Sequence, residues 1–117
     1  MGDARTLAGL ADEIEIISRV YERVFDVPRS DDWLVLKLHE EVGELTQAYL
    51  ARSGRSRDRG EDAAAVDAAF RAELADVLGM LLLVARRFDA DLDAEVQRKW
   101  FRWRHLVEPQ DEEGVRR

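Results

Sequence analysis

The sequence predicts an all-α fold, a subunit of the four-helix-bundle type, and two observations support that prediction. Apolar residues make up 46% and charged residues 37% of the 117 residues, with only 7 Gly and 2 Pro, which is typical of amphipathic helices. Apolar side chains recur at three- and four-residue spacing through four segments, and no segment alternates as a strand does. A chain of this length forms one domain. We expect that domain over residues 1–108, with an acidic, flexible tail at 109–117.

The first two predicted helices are separated by a short break. The first runs from about Ala4 to Phe25, and its apolar positions are Leu7, Leu10, Ile14, Ile17, Tyr21 and Val24. Residues 27–30 (VPRS) then end the pattern, and Asp31 or Asp32 is expected to cap the second helix. The apolar positions of that helix are Leu34, Leu38, Val42, Leu45 and Tyr49.

Two further helices are predicted in the second half of the chain. They follow a loop at residues 52–62, which has two Gly, two Ser and the four arginines Arg52, Arg55, Arg57 and Arg59. Such a loop either closes over a substrate or is simply solvated. The third helix runs from about Ala63 to Phe88. A polar turn at 89–93 precedes the fourth, whose apolar positions are Leu92, Val96, Trp100, Trp103 and Val107.

Charge and composition exclude several functions. The chain has 18 Lys and Arg against 25 Asp and Glu, a net charge of −7, which disfavours binding to a nucleic-acid backbone. It has no Cys, so disulfides, thiol catalysis and Cys-ligated zinc are excluded. No segment approaches the roughly 20 apolar residues that span a bilayer, and no signal core follows the start. We therefore expect a soluble, cytoplasmic protein without nucleic-acid or membrane partners.

Five carboxylates form two clusters on the second and third predicted helices. Glu40, Glu41 and Glu44 form the first cluster, and Glu73 and Asp76 form the second. At about 100° per residue, Glu41 borders the apolar stripe of its helix, and Glu40 lies about 100° farther from it. When the two stripes pack together, four acids can converge across a groove, as in the metal sites of helix bundles. These four are Glu41, Glu44, Glu73 and Asp76.

The alternative interpretation of these acids is a solvated, charged helix face. Lys37, one turn before Glu41, would then be only its ion-pair partner. Against that interpretation, neither Glu73 nor Asp76 has a basic residue four positions away. Acids clustered in a partly dry groove also repel one another unless a cation neutralises them.

The ligand types narrow the choice of metal. The only histidines are His39 and His105, and neither stands three residues after a Glu, so the Glu-x-x-His pairs of di-iron bundles are missing. Ligation by oxygen alone favours Mg²⁺, with Mn²⁺ as a substitute, over zinc or copper.

The two acidic motifs together resemble a known family signature. Glu40-Glu41-x-x-Glu44 followed by Glu73-x-x-Asp76 is similar to the EExxE…ExxD pattern of the MazG-like, all-α nucleoside triphosphate pyrophosphohydrolases. The segments KLHEEVGEL at 37–45 and ELADVLGMLLLVARR at 73–87 resemble the second and third helices of that family, and the likeness covers about residues 34–104. It implies Mg²⁺-dependent cleavage of an NTP or dNTP to the monophosphate and pyrophosphate, of the housecleaning or dUTP type. It also implies a helical homodimer or dimer of dimers.

The resemblance further implies a role for individual residues. Glu40 matches the acid that activates water, and the metal-binding acids match Glu41, Glu44, Glu73 and Asp76. Lys99 resembles the phosphate-side lysine of the family. Members often carry an Asn just before that lysine, where this chain has VQR at 96–98, so the resemblance does not extend to the substrate contacts of the fourth helix.

Three residues are candidates for substrate binding. Lys99 and Arg102, one helical turn apart, could neutralise the outer phosphates, or they could be merely exposed cations near a helix end. Trp33 lies on the Glu40 side of its helix, off the apolar stripe, and could touch the nucleotide.

Two other functions remain open at this stage. Phosphoribosyl-ATP pyrophosphohydrolase is a relative with the same bond chemistry and similar acids, and a non-catalytic helical dimer is an alternative of another class. Residues 77–85 (VLGMLLLVA) are apolar around most of the helix, so we expect part of this surface, including Leu82 or Leu83, to meet a second chain.

Overall fold

The computed structural model of the protein describes residue 3, residues 5–56 and residues 60–116. These residues form helices and connections, with no strand among them, so the all-α prediction is confirmed. The helices are α1 (Leu7–Phe25), α2 (Asp31–Arg52), α3 (Ala63–Arg87), α4 (Leu92–Lys99), a 3-10 helix (Phe101–Leu106) and α5 (Pro109–Arg116). None of the described helices is both long and apolar enough to cross a membrane.

Side-chain caps fix where the helices begin. The hydroxyl of Thr6 accepts a hydrogen bond from the Gly9 amide at 3.0 Å, and the hydroxyl of Ser30 accepts one from the Trp33 amide at 3.0 Å. The prediction of Asp31 or Asp32 as the cap of α2 is therefore wrong by one position. Both aspartates lie instead in the first turn, where a carboxylate interacts favourably with the helix dipole.

Helices α2 and α3 form an antiparallel hairpin that carries both acidic clusters. At one end of the hairpin, Arg87 Nε lies 2.6 Å from Asp31 Oδ1. At the other end, Arg52 Nε lies 2.7 Å from Asp67 Oδ1. The start of α2 thus faces the end of α3, which places the middle of one helix against the middle of the other.

The core of the single chain is small and lies where α1 crosses this hairpin. Its buried hydrophobic residues are Ala11, Leu34, Leu82, Leu83 and Ala85. A Cβ at Gly79 would lie 3.9 Å from Cδ1 of Ile14, an ordinary van der Waals distance, so the Ile14 side chain of α1 packs over α3 there. Leu82 and Leu83 are 1% and 5% exposed and pack inside the subunit. The prediction that they contribute to an outer surface is therefore wrong, and the exposed leucines of α3 are Leu74, Leu78 and Leu81.

A buried ion pair fastens the connection between α1 and α2. The Arg29 guanidinium donates to both carboxylate oxygens of Glu15, at 3.1 and 3.0 Å, and the Arg29 amide donates to Glu22 at 3.0 Å. The pKa of Glu15 is lowered to about 2. The hydrogen bonds that Arg29 donates to Glu15 are the main cause, burial acts in the opposite direction, and Arg19 adds to the lowering. A bidentate pair of this kind fixes geometry as well as charge.

The C-terminal segment does not pack as a fourth bundle helix. The predicted fourth helix ends at Lys99, and a 3-10 helix follows, in which the Trp103 amide donates to the Trp100 carbonyl at 3.1 Å. Within it, Arg102 lies 5.1 Å from the Trp103 ring centre. Helix α4 packs mainly on this 3-10 helix. Within the predicted tail at 109–117, the described residues form the exposed helix α5 (Pro109–Arg116), and residue 117 lies outside the described part of the chain.

The described chain is more extended than a compact domain. Its radius of gyration is 17.7 Å, whereas a compact chain of this length has one of about 13 Å. Large apolar side chains stay exposed on several helices, among them Ile17 at 68%, Leu36 at 68% and Trp100 at 72%. A surface this rich in apolar groups is unusual for a protein that works alone.

Candidate metal centre

Three acids from α2 and α3 meet in the middle of the hairpin. One carboxylate oxygen each from Glu41, Glu73 and Asp76 lies within 4.8 Å of the other two. We call these three residues the acidic trio. Neighbouring oxygens in an octahedral Mg²⁺ shell lie about 3.0 Å apart, since each bond is about 2.1 Å long. The oxygens of the trio are therefore at most about 2 Å farther apart than the ligands of one ion, a gap that side-chain rotations can close.

The helical phase of each residue explains why these acids meet. Glu41 sits seven positions after the buried Leu34, which is close to two full turns, so both point into the same groove. The residue is 8% exposed, as its place beside the apolar stripe predicts. Glu73 is half-buried and Asp76 is exposed on the facing helix. The trio therefore combines a buried side with an open side.

Glu44 stands beside the trio without joining it. The carboxylate is exposed and close enough to Glu41 to share a hydrogen bond with it when one of the two is protonated. When both are ionised neither can donate, and their charges repel. Of the four predicted ligands, the structure thus brings three together and places the fourth next to Glu41.

The pKa of Glu41 shows how unfavourable this arrangement is without a cation. Burial raises the pKa of Glu41 to about 7, with further contributions from the charge of Glu44, the hydrogen bond to Glu44 and the charge of Asp76. Lys37 acts in the opposite direction but does not outweigh them. The ionised form of such a carboxyl group is unfavourable in this site, and a nearby positive charge would stabilise it.

Two buried oxygens of the trio lack partners. Within the described part of the chain, Oε2 of Glu41 and Oε2 of Glu73 are inaccessible to solvent and accept no hydrogen bond. Such orphaned acceptors are costly in a native fold. A hard divalent cation bound by oxygen alone would satisfy both, so the residues present fit Mg²⁺ by donor type, burial and unmet bonding.

Lys37 is the basic residue that reaches the cluster. Its ammonium lies 3.3 Å from Glu40 Oε1 and 3.7 Å from Glu41 Oε1. The ion pair with Glu41 that the alternative interpretation offers is present, and the contact with Glu40 was not anticipated from the sequence. The signal was present, because Lys37 and Glu40 are three positions apart. One ammonium leaves most of the charge on five carboxylates unbalanced.

Glu40 differs from the trio in its surroundings. Its side chain is 56% exposed, against 11% for that of Glu41. The residue is on the solvent side of the groove, tethered by Lys37, which agrees with the angular separation read from the sequence. The Glu40 carboxylate can therefore contact water more freely than the buried Glu41 can.

The predicted substrate residues lie away from the trio in the single chain. Trp33 is half-buried at the start of α2, about 10 Å along the axis from Glu40. Lys99 and Arg102 are exposed in the C-terminal segment. In residues 5–56 and 60–116, none of the three side chains is hydrogen-bonded or ion-paired to an acid of the cluster. Their roles in substrate binding stay predictions.

An aromatic pair beside the acids was not predicted as part of a site. Tyr49 and Phe70 face each other across the hairpin with ring centres 6.3 Å apart, just beyond Glu44 and Glu73. Arg52 lies 5.6 Å from the Phe70 ring, and Arg55 donates to the Tyr49 hydroxyl at 3.2 Å. Tyr49 reads as a core position in the sequence, yet it is 43% exposed. Arg57 and Arg59 of the same loop lie outside the described residues.

Comparison with protein-family models, with curated proteins and with solved structures gives no match to this chain.

Proposed function

We propose that the protein is a Mg²⁺-dependent nucleoside triphosphate pyrophosphohydrolase, which converts an NTP or dNTP to the monophosphate and pyrophosphate. The observation that carries this proposal is the acidic trio, which draws on both motifs and contains two buried oxygens without partners. A merely solvated acidic face would have its carboxylates in water. The resemblance of the paired motifs to the MazG-like family supports the choice of reaction.

The trio would hold the cation, with Glu44 at its edge. Bound Mg²⁺ supplies neutralisation of the phosphate charges, and it typically completes its coordination with waters and substrate phosphates. The open side of the trio at Asp76 leaves room for such phosphates. The buried side at Glu41 fixes the other ligands in place.

Glu40 is the residue best placed to act as the general base. It is exposed at the groove's edge, and Lys37 restrains its carboxylate through the contact at 3.3 Å. In the proposed reaction Glu40 accepts a proton from the attacking water, whose oxygen forms a bond to phosphorus while the bond to the pyrophosphate oxygen breaks. The rest of the rate acceleration would come from positioning the substrate and the attacking water, and rigid helices hold such positions well.

A homodimer or dimer of dimers is part of the proposal. The extended shape and the exposed apolar residues on α1, α2 and α3 support it, because a second chain would remove them from water. A second chain could also bring the C-terminal segment, with Lys99 and Arg102, close to a trio.

A product assay with purified protein tests this function. NTPs, dNTPs and phosphoribosyl-ATP are each incubated with Mg²⁺ or with excess chelator, and pyrophosphate and phosphate are measured separately. We expect pyrophosphate from at least one nucleotide, only with Mg²⁺ or Mn²⁺, and loss of that activity in Asp76→Asn. Glu112→Gln, which changes an exposed acid of α5, is the matched control and should stay active. Release of phosphate instead of pyrophosphate, or full activity in chelator, contradicts the proposal.

A further inference from the structure

A polar cavity lies where α1, the connection to α2 and the end of α3 meet. Its volume is about 270 Å³. The lining consists of four arginines, one glutamate and two leucines, namely Arg19, Arg29, Arg86, Arg87, Glu15, Leu34 and Leu83. We call it the arginine cavity. In a protein of net charge −7, four guanidinium groups around one space are an unexpected concentration of positive charge.

The carboxylates near these arginines do not fill the cavity. Glu15 is the one acid in the lining, and it is held by Arg29 and Arg19. Arg87 pairs with Asp31 at 2.6 Å, and Arg86 reaches Asp12 at 3.4 Å. Both aspartates are substantially exposed and stand outside the lining. Exposed pairs of this kind contribute little to stability.

The Nε of Arg29 is buried and only weakly partnered. The side chain is 8% exposed, and its two terminal nitrogens are bonded to Glu15. The Nε is inaccessible to solvent and makes no hydrogen bond, and its ion pair with Glu22 Oε1 is long, at 3.5 Å. A buried charged donor with an incomplete hydrogen bond is costly. An anion in the cavity would add negative charge and acceptor atoms beside this group.

We propose that the arginine cavity binds an oxyanion of the phosphate class, either a free phosphate or pyrophosphate ion or the phosphate chain of a nucleotide. Guanidinium groups match phosphate geometry through paired N–H donors, which makes several converging arginines a typical phosphate site. The volume equals that of about nine water molecules at roughly 30 Å³ each, which is ample for a diphosphate group.

The arginine cavity is separate from the acidic trio. Leu34 and Leu83 line the cavity, and each is seven residues from a member of the trio on its own helix, Glu41 and Asp76. That spacing corresponds to about 10 Å along the helix axes. Binding here requires neither a metal nor hydrolysis, so the inference goes beyond the proposed function and does not depend on it.

Calorimetric titration in the presence of EDTA tests the inference, because the chelator removes any contribution of the trio. One arm titrates pyrophosphate and the other dATP, at constant ionic strength set with chloride. We expect wild-type protein to bind in at least one arm, and Arg86→Gln and Arg87→Gln each to weaken binding at least tenfold. Arg71→Gln is the matched control, because Arg71 is an exposed, ion-paired arginine at the other end of α3.

The outcomes separate the two sources of the oxyanion. Binding in the pyrophosphate arm identifies a free ion as sufficient, and binding in the dATP arm alone identifies a nucleotide. Thermal unfolding without ligand checks that the glutamine variants remain folded, and Arg29→Lys offers a second test that keeps the buried charge. No binding in either arm, or an equal loss in Arg71→Gln, overturns the proposal.

Discussion

Replacing Glu41 by Gln should make the metal-free protein more stable at alkaline pH while removing its response to Mg²⁺. The substitution keeps the size of the side chain and deletes its charge. In the folded protein, burial and the neighbouring acids raise the pKa of Glu41 from 4.5 to about 7. The folded state therefore holds the proton more tightly than the unfolded chain does.

The size of the effect follows from this difference in pKa. Stability that depends on the Glu41 proton is fully present below pH 4.5 and is lost as the pH rises through about 7. At 1.36 kcal/mol per pH unit, the loss in wild-type protein approaches roughly 3 kcal/mol. Glu41→Gln should recover most of that amount at pH 8.5 and almost none at pH 4.5. In a domain of this size that corresponds to a rise in Tm of about 10 °C.

Urea unfolding at pH 4.5 and pH 8.5, with EDTA or with Mg²⁺, measures both effects at one protein concentration. A cation present at 100 times its Kd stabilises the folded state by about 2.7 kcal/mol. Wild-type protein should show such a gain at pH 8.5, and Glu41→Gln should show much less. Glu40→Gln is the matched control, because its carboxylate is exposed and paired with Lys37.

Two results would refute this reasoning. If Glu41→Gln were no more stable than wild type in EDTA at pH 8.5, the ionised Glu41 carboxylate would not destabilise the folded protein as its burial indicates. If Mg²⁺ stabilised the variant as much as the wild type, Glu41 would not be a ligand.

Three further predictions concern the reaction, the buried ion pair and assembly. Glu40→Gln should lower kcat about 10²- to 10⁴-fold and leave Mg²⁺ affinity nearly intact, whereas Asp76→Asn should weaken Mg²⁺ binding itself. Calorimetric Mg²⁺ titration measures the affinities and single-turnover kinetics measures the rates. If both variants lost Mg²⁺ affinity equally, Glu40 would be a ligand. Arg29→Met should cost about 3 kcal/mol in urea unfolding, the lower end of the range for breaking a buried ion pair, because Glu15 keeps only the exposed Arg19 as a partner. Wild-type stability should correspondingly fall as the pH drops from 4.5 toward 2, and a flat profile there would contradict the pairing. Light scattering of the wild-type protein should give a mass of at least twice 13.4 kDa, and replacing the exposed Leu81 by Glu should lower that mass. A wild-type mass of 13.4 kDa at micromolar concentration would count against assembly.

The parts of the fold that could be predicted are those set by local pattern. Apolar spacing predicts α1, α2 and α3 to within three residues of their observed ends, since periodicity and capping are properties of neighbouring residues. The same geometry separates the buried Glu41 from the exposed Glu40. The direction of a side chain around a helix depends only on its position along that helix, so a helical wheel is sufficient to separate Glu41 from Glu40.

What the sequence could not predict depends on distances between elements. Phase places Glu44 toward the groove, but the separation of α2 and α3 decides that it stays outside the trio. Pairing of Glu15 with Arg29, fourteen positions later, requires the turn between the first two helices. The interruption after Lys99 comes where four bulky residues, Trp100 to Trp103, follow one another, and their apolar spacing is equally compatible with a continuous helix.

The small core of the single chain makes its folding a question of concentration. The gain from burial grows with the apolar area removed from water, and the described residues bury only five hydrophobic side chains while leaving many larger ones outside. In the proposed homodimer, such a chain would reach its full stability only when it is bound to another copy. We therefore expect second-order refolding and a Tm that rises when the protein is concentrated tenfold, so that dilution alone would loosen the groove that brings the acids together.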